Sequence, residues 1–278
     1  MSETTTTDTP TPEQRLATFR ARRAESVVAP MGSLALVNTQ WIDSEQTIWG
    51  VPGTWAPRTD GGSGLVLTAT ASDGITVDGE LVDGTVTVRG KDDEKPSSLV
   101  FSETKIGTVI AQEGGSYALR VWDAESDAIA GFGGIDAYDY DPEWVITAEF
   151  TPNPEGTTLG FEHLKDEGQV REQVIPGSIR FTKDDVDYDL AGFASGRAIQ
   201  IVFADETNGT DTYSVGRFVF AAPRPDGTIV LDFNTAVLPP CAFSYAFNCP
   251  MPPKQNRFGI RIEAGEKNVL GADGQPLH

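Results

Sequence analysis

The two cysteines, Cys241 and Cys249, carry the most distinctive chemistry of the sequence. Seven residues separate them, a spacing that matches no standard zinc pair, and no Cys-x-x-Cys redox motif is present. Three roles remain open: buried thiols that pack as small apolar groups, a disulfide, or a metal-binding or nucleophilic role. A cysteine nucleophile needs a histidine beside it, and apart from the terminal His278 the chain offers His163.

Carboxylates of the C-terminal third suggest acid–base catalysis as a second chemistry. The candidates are Asp205, Asp232, Glu263 and Glu266. Two such groups in one pocket, Asp205 and Asp232 in particular, would suit a hydrolase or lyase. The alternative is that these carboxylates form ion pairs that hold the C-terminal loop on a sheet. The basic residues available for those pairs are Arg217, Arg257, Arg261 and Lys267.

Polar residues on the non-core face of two late predicted strands suggest a third possibility, a small-molecule binding protein. In this hypothesis the C-terminal loop closes the mouth of a β-barrel or sandwich and holds a small, anionic ligand with Arg217, Tyr213 and Asn234. The full set of candidate ligand-binding residues is Asp205, Thr207, Tyr213, Arg217, Asp232, Asn234, Cys241, Cys249, Asn256 and Glu266. A structural or interaction protein, in which the same residues only stabilise the fold, is the remaining alternative. The sequence identifies no cofactor and no oligomeric state.

Other catalytic and metal motifs are missing or weak. No Gly-x-Ser-x-Gly elbow and no P-loop occur, so serine-hydrolase and nucleotide-phosphate chemistry are disfavoured. The segment 131–142 is rich in glycine and carboxylates, and its Asp136, Asp139 and Asp141 do not follow the EF-hand spacing. We interpret that segment as a solvated loop, with a hard-cation site as the alternative, and we predict no metal site.

The elements that position these residues begin with one helix. Residues 1–10 form a Thr-rich tail for which we expect disorder. Thr11 and Gln14 have the spacing of a capping box and Pro12 suits the first helical position, which predicts an N-terminal helix over 11–29. Its arginines, Arg20, Arg22 and Arg23, form either a solvated face or a contact with an anion or partner.

The rest of the chain alternates between short β-branched runs and Asp-Gly or Gly-rich turns, a pattern typical of antiparallel strands. We therefore predict an all-β fold of mainly antiparallel, sandwich- or barrel-like sheets, with one N-terminal α-helix and a long packed C-terminal loop over 232–267. The predicted lobes are 30–115 and 116–278, or one continuous domain. Predicted strands include Gly74–Val82, Trp144–Phe150, Ala198–Phe203, Thr212–Phe220 and Gly227–Phe233.

Several runs in the C-terminal third carry a family resemblance: FADETNGTDTYSVGRF, LDFNTAVLPPCAFSYAFNCPMPPKQNR and IEAGEK. With APMGSLALVNTQWI, GSYALRVWD and FGGIDAYDYDPEW upstream, they make the chain similar to a bacterial family catalogued as domain of unknown function 1684. The resemblance extends from about Arg15 to Lys267. It implies family membership and no established activity.

Charge and hydropathy limit the partners and the location. The formal net charge is −20, with 41 acidic and 21 basic residues, which repels nucleic acids and anionic membrane surfaces. No apolar run reaches the length of a membrane span, and the N-terminus lacks a secretory signal pattern. We therefore expect a cytoplasmic protein with no nucleic-acid or membrane partner.

Overall fold

The computed structural model describes residues 9–112 and 115–277. Within them the chain forms two compact units. The smaller unit consists of Ser26–Gly131 and Phe243–Phe247, and the larger unit of the residues up to Glu25, Phe132–Ala242 and the residues from Asn248 on. Of the predicted disordered tail, residues 1–8 lie outside the described part. The division into two lobes with a boundary at 115/116 stays a prediction.

The N-terminal helix α1 (Pro12–Val27) begins at the predicted capping box. The backbone N–H of Thr11 donates to Gln14 Oε1 at 2.9 Å, and the N–H of Gln14 donates to Thr11 Oγ1 at 3.3 Å. These reciprocal bonds satisfy two of the amides that a helix leaves unpaired at its start. The predicted helix and its start are confirmed.

The smaller unit is built from antiparallel strands and one short helix. These elements are β1 (Leu36–Trp41), β2 (Gln46–Thr47), β3 (Thr54–Pro57), β4 (Leu65–Ala69), β5 (Thr76–Val77), β6 (Glu80–Leu81), β7 (Gly84–Val88), β8 (Leu99–Val100), β9 (Lys105–Ala111), β10 (Tyr117–Asp123) and α2 (Asp127–Ala130). In the described residues they form a six-stranded sheet in the order β1-β10-β9-β8-β5-β6 and a four-stranded sheet in the order β2-β3-β4-β7.

The core of the smaller unit follows from strand alternation. Leu65, Leu67 and Ala69 on β4 are buried, whereas Thr68 between them is exposed. They join Trp55 and Leu119 in one apolar cluster, because alternate side chains of a strand point to the same face.

The larger unit contains the remaining strands and the predicted site residues. The strands are β11 (Phe132–Ala137), β12 (Val145–Pro152), β13 (Thr158–Glu162), β14 (Val170–Val174), β15 (Gly177–Lys183), β16 (Val186–Ala191), β17 (Phe193–Ser195), β18 (Ala198–Phe203), β19 (Arg217–Ala221), β20 (Thr228–Asp232) and β21 (Glu266–Gly271). They pair as β11-β21, β16-β15-β12-β20, β13-β14 and β17-β18-β19. Short 3₁₀ turns occur at Phe233–Thr235, Pro240–Ala242 and Lys254–Asn256.

An aromatic cluster forms the core of the larger unit. The ring of Phe203, at the end of β18, lies 5.2 Å from that of Phe233, and Phe258 lies 5.8 Å from Phe233. Ile229 and Leu231 of β20 are fully buried in the same cluster. Phe258 comes from the irregular C-terminal loop, so the loop packs on the sheets as predicted.

The all-β, mainly antiparallel fold with an N-terminal helix is confirmed, and no sheet in the described part of the chain closes into a barrel. Trp144 and Ala148 are buried and Thr147 and Glu149 exposed, as the alternation of that segment predicts. No helix in the described ranges has the length and apolar character needed to cross a membrane.

Three predicted segments differ in detail. Gly74–Val82 is a hairpin of β5 and β6 rather than one strand, and the tight turn predicted for its Asp-Gly pair is confirmed, because Asp78 and Gly79 take positive φ values of 53° and 85° and reverse the chain. The predicted loop 131–142 contains β11, which pairs with β21. The predicted strand Thr212–Phe220 begins only at Arg217, because Thr207, Asn208 and Thr212 hydrogen-bond into a compact turn. Strand alternation over Thr212–Phe220 predicts that Tyr213, Val215 and Arg217 share one face, and this prediction is wrong because only Arg217 belongs to the strand.

Candidate functional site

Arg217 is a fully buried charged residue of the predicted site. Its side chain and that of Asp205 are both 0% exposed, and Nη2 donates to Asp205 Oδ2 at 2.6 Å. The guanidinium also donates to the carbonyl oxygens of Ile262 and Ala264, and its carbon lies 5.2 Å from the ring centroid of Phe203. A buried charge of this kind is tolerated because it is paired and hydrogen-bonded.

Asp205 and Thr207 connect this ion pair to the turn that precedes β19. Asp205 Oδ1 accepts hydrogen bonds from the backbone N–H of Thr207 at 2.8 Å and of Ile262 at 3.3 Å. Thr207 Oγ1 lies 2.9 Å from Thr212 Oγ1. Both carboxylate oxygens of Asp205 are thus engaged within the chain, so this group has the contacts of a structural anchor rather than those of an open acid or base.

Asp232 and Asn234 form a second group at the end of β20. Asp232 Oδ1 accepts from the backbone N–H and from Nδ2 of Asn234, each at 3.0 Å, and so caps the 3₁₀ turn. Asn234 Oδ1 accepts from the N–H of Asp141 at 2.8 Å, while Nδ2 donates to the Asp141 carbonyl at 2.9 Å. The Asn234 side chain thereby fixes the backbone of Asp141 to the end of β20.

Asn256 is fully buried and joins β16 to β18. Its Oδ1 accepts from the N–H of Ala191 at 3.0 Å, and its Nδ2 donates to the carbonyls of Ala191 at 2.7 Å and Val202 at 2.8 Å. These bonds satisfy buried backbone groups of both strands. Asn256 therefore fixes the 3₁₀ turn Lys254–Asn256 to the sheets.

Glu266, the first residue of β21, connects the helix to the C-terminal loop. Oε1 accepts from Arg23 Nε at 3.0 Å and Oε2 accepts from the N–H of Leu238 at 2.7 Å. Burial raises the pKa of Glu266, while Arg23 and the Leu238 amide oppose the shift. Arg20 donates to the carbonyl of Tyr138, so two of the three helix arginines bond to other segments of the larger unit.

Cys241 and Cys249 lie together near Tyr213. The backbone N–H of Cys241 donates to Cys249 Sγ at 3.3 Å, and Tyr213 Oη donates to the Cys241 carbonyl at 3.2 Å. Both cysteines are buried and neither is in a disulfide. The hydrogen bond with Cys249 lowers the pKa of the Cys241 thiol, and the Tyr213 hydroxyl acts in the same direction.

The structure thus groups the predicted site residues into several contacts. Asp205, Thr207 and Arg217 touch one another, as do Asp232 and Asn234, and Tyr213 touches Cys241 beside Cys249. Asn256 and Glu266 bond to backbone elsewhere in the unit. Most of their hydrogen bonds are to the protein itself, although Arg217 Nε is buried without a partner among the described residues, and a ligand-binding role for these residues stays a prediction.

A cavity next to these residues was not anticipated. Its volume is about 400 Å³, and we refer to it as the proline cavity because Pro252 and Pro253 form part of its wall. The lining residues are Leu159, Gly160, Glu162, Val170, Met251, Pro252, Pro253, Lys254, Gln255 and Arg257. One wall is the β13-β14 hairpin and the other is the C-terminal loop. The Met251 amide of the loop donates to the Glu162 carbonyl of the hairpin at 2.7 Å and so joins the two walls.

Two cations line this cavity, Lys254 and Arg257. Both side chains are exposed, and neither forms a salt bridge with a carboxylate in the described part of the chain. Sequence reasoning considered Arg257 only as an ion-pair partner and missed Lys254. The sequence does contain a sign of this site, because two basic residues three positions apart follow Pro252-Pro253 in a strongly acidic chain.

The remaining acidic and histidine candidates form no metal centre. Asp136 pairs with Lys267 at 2.8 Å, and Asp141 caps a 3₁₀ turn through the amide of Glu143. His163 Nδ1 lies 3.2 Å from the carbonyl oxygen of Phe161. Across residues 9–112 and 115–277, no three His, Cys, Asp or Glu side chains are grouped so that they could hold a metal ion.

Comparison with known proteins gives a family and similar solved structures. The family model described as "Protein of unknown function (DUF1684)" matches residues 130–267. A solution NMR structure of an uncharacterized protein from Haloarcula marismortui is 30% identical in sequence, with a TM-score of 0.39. The match covers 49% of this chain and 76% of that one. No curated protein matches the sequence.

Proposed function

The chain belongs to the DUF1684 family of proteins of unknown function, and from this premise we propose that its larger unit binds a small anionic ligand in the proline cavity. One observation carries the proposal: Lys254 and Arg257 both line the cavity, and neither has a carboxylate partner among the described residues. Like charges at neighbouring positions repel each other, and an anion between them removes that repulsion.

The geometry of the turn places the two cations side by side. Lys254 begins the 3₁₀ turn Lys254–Asn256, and the N–H of Arg257 donates to the Lys254 carbonyl at 3.3 Å. Residues three apart in a 3₁₀ turn lie on the same side. Because Asn256 between them is fixed by three buried hydrogen bonds, the backbone that carries both cations is positioned before any ligand arrives.

The other walls indicate what the rest of the ligand resembles. Leu159, Val170 and Met251 supply apolar surface, and a volume of about 400 Å³ is within the range of small-molecule sites. Glu162 is the one acidic residue of the lining and opposes a high ligand charge. The best fit is therefore a small carboxylate or phosphate monoester with an apolar body.

The ligand class, a small anion, is the one expected from the sequence, but the residues proposed to contact it are different. The terminal nitrogens of Arg217 and the side-chain amide of Asn234 are hydrogen-bonded within the protein, whereas Lys254 and Arg257 are exposed and line the cavity. The two sets belong to one unit, and Asn256 of the predicted set lies in the same turn as Lys254.

The test is a thermal-shift screen at fixed ionic strength, followed by calorimetry on the hits. The panel contains inorganic phosphate, benzoate, hexanoate and a phenyl phosphate monoester. We expect Arg257→Ala and Lys254→Ala each to weaken the best anion about tenfold, equivalent to about 1.4 kcal/mol. Glu162→Gln is expected to tighten binding, because it removes a like charge.

Arg197→Ala is the matched control for this screen. Arg197 is also exposed and lies outside the cavity lining, so its removal changes the net charge equally. If Arg197→Ala weakens binding as much as Arg257→Ala does, the effect is one of overall charge and the cavity is not the site. A screen in which no anion stabilises the wild-type protein contradicts the proposal directly.

A further inference from the structure

The two cysteines of the larger unit are buried side by side, and the proposed anion site does not involve them. Cys241 and Cys249 are 1% and 4% exposed, and the Cys241 amide donates to Cys249 Sγ at 3.3 Å. The two thiols are hydrogen-bonded to each other, and this contact is the largest cause of the lowered pKa of Cys241. A thiol with a lowered pKa is more often ionised, and the thiolate is the reactive form.

The backbone on both sides of the pair is held in place. Cys241 lies in the 3₁₀ turn Pro240–Ala242, where the Ala242 amide donates to the Pro239 carbonyl at 2.9 Å. The carbonyl of Cys249 accepts from the amide of Leu164, also at 2.9 Å. The fold therefore holds the Cys249 sulfur 3.3 Å from the backbone nitrogen of Cys241, so both thiols lie in the same buried region of the larger unit.

We propose that Cys241 and Cys249 are a redox modification site, converted by a peroxide to an intramolecular disulfide and returned to thiols by a small-molecule thiol. The Cys241 thiolate attacks one oxygen of hydrogen peroxide, which yields a sulfenic acid and releases water. The Cys249 sulfur then attacks the sulfenic sulfur and expels a second water. The two thiols lose two electrons and two protons in total, and one peroxide becomes two waters.

The roles of the two cysteines differ because their surroundings differ. Tyr213 and Cys249 both lower the pKa of Cys241, which makes Cys241 the attacking thiol. Cys249 is the resolving thiol, since it lies within hydrogen-bond reach of Cys241. Burial of both sulfurs excludes bulky oxidants and favours a peroxide of about the size of water.

Closure of the disulfide affects the stability of the larger unit. Both cysteines belong to the larger unit, and Phe243–Phe247 in the loop between them belong to the smaller unit. A bond between them restricts the unfolded chain more than the folded one. For a loop of this length the expected rise in melting temperature is roughly 5–10 °C.

The experiment treats the full-length protein with hydrogen peroxide under native conditions, then unfolds it in the presence of iodoacetamide and measures its mass. We expect the wild type to become lighter by two hydrogens and to take up no alkyl group, and dithiothreitol to restore two alkylation sites. The melting temperature is expected to rise on oxidation and to return on reduction.

Two variants identify the order of the steps. Cys249→Ser removes the resolving thiol, so a sulfenic acid on Cys241 is expected to react with dimedone. Cys241→Ser is expected to leave Cys249 unmodified at the same peroxide dose. A wild type that keeps two alkylatable thiols, gains oxygen atoms instead of losing hydrogens, or forms disulfides between molecules overturns the proposal, and none of these outcomes depends on the variants.

Discussion

At the scale of single residues, the polar side chains of the C-terminal motif act as internal anchors. Arg217 joins the turn at Asp205 to the carbonyls of Ile262 and Ala264, so one guanidinium connects segments that are far apart in sequence. The Coulombic attraction of a buried pair is offset by the cost of removing both charges from water. Removal of one partner leaves the other charge buried and unpaired.

We therefore predict that Arg217→Ala lowers the free energy of unfolding by about 3–5 kcal/mol. Guanidinium unfolding followed by circular dichroism measures the change. Arg180→Ala is the matched control, because Arg180 and its partner Asp189 are 58% and 51% exposed. An exposed pair of this kind contributes about 0–1 kcal/mol.

A more stable Arg217→Ala protein contradicts the anchoring role. Residues that serve function often cost stability, so a gain on truncation is typical of a functional site. That outcome favours the original expectation that Arg217 contacts a ligand.

At the scale of elements, the 3₁₀ turn Lys254–Asn256 combines a structural role with the proposed binding role. Asn256 bonds to Ala191 and Val202 inside the unit, while Lys254 and Arg257 line the proline cavity. An irregular segment holds its shape only when its backbone groups have partners, and here one asparagine side chain supplies partners to two strands. The position of the cations therefore depends on Asn256, which is buried and is not part of the cavity lining.

We predict that Asn256→Ala lowers the free energy of unfolding by about 2–4 kcal/mol, because it leaves buried amide and carbonyl groups without partners. In the same variant, the affinity for the best anion of the thermal-shift screen falls even though Lys254 and Arg257 are unchanged. Denaturant unfolding and calorimetry at a temperature where the variant is folded separate the two effects. Unchanged anion affinity in a destabilised Asn256→Ala protein indicates that the turn does not position the cations.

At the scale of the whole molecule, net charge dominates the electrostatics. A formal charge of −20 on 278 residues produces mutual repulsion that opposes the compact state. Ion pairs relieve part of it: Lys267 pairs with Asp136, and Arg261 with Asp211 and Glu263. The 21 basic residues are too few to neutralise 41 acidic ones.

We predict that the melting temperature rises by several degrees between 50 mM and 1 M potassium chloride, because salt screens repulsion among exposed carboxylates. Differential scanning calorimetry across this range provides the measurement. Potassium acetate is the control for specific chloride binding. A melting temperature that is flat or falls with both salts means that exposed ion pairs outweigh the net repulsion.

Periodic segments were predictable and irregular ones were not. The capping box at Thr11 and Gln14 and the alternation of Trp144–Phe150 are local patterns, and both predictions are confirmed. The Phe132–Ala137 strand was missed because its glycines and aspartate resemble a loop, and it becomes a strand only by pairing with β21. The opposite error occurred at Thr212–Phe220, where a strand was predicted too early in the chain. Side-chain hydrogen bonds from Thr207 and Asn208 to Thr212 form a turn before the strand begins at Arg217.

The sequence by itself determined the fold class, the family and the region in which the unusual residues are concentrated. These follow from composition, from short-range periodicity and from motifs that are contiguous in the chain. Only the tertiary structure decided which atoms these residues contact: Arg217 turns inward to Asp205, Cys241 lies against Cys249, and Lys254 lines a cavity with Arg257. The physical reason is that burial and pairing depend on neighbours distant in sequence, whose positions are set by the packing of sheets and loop together.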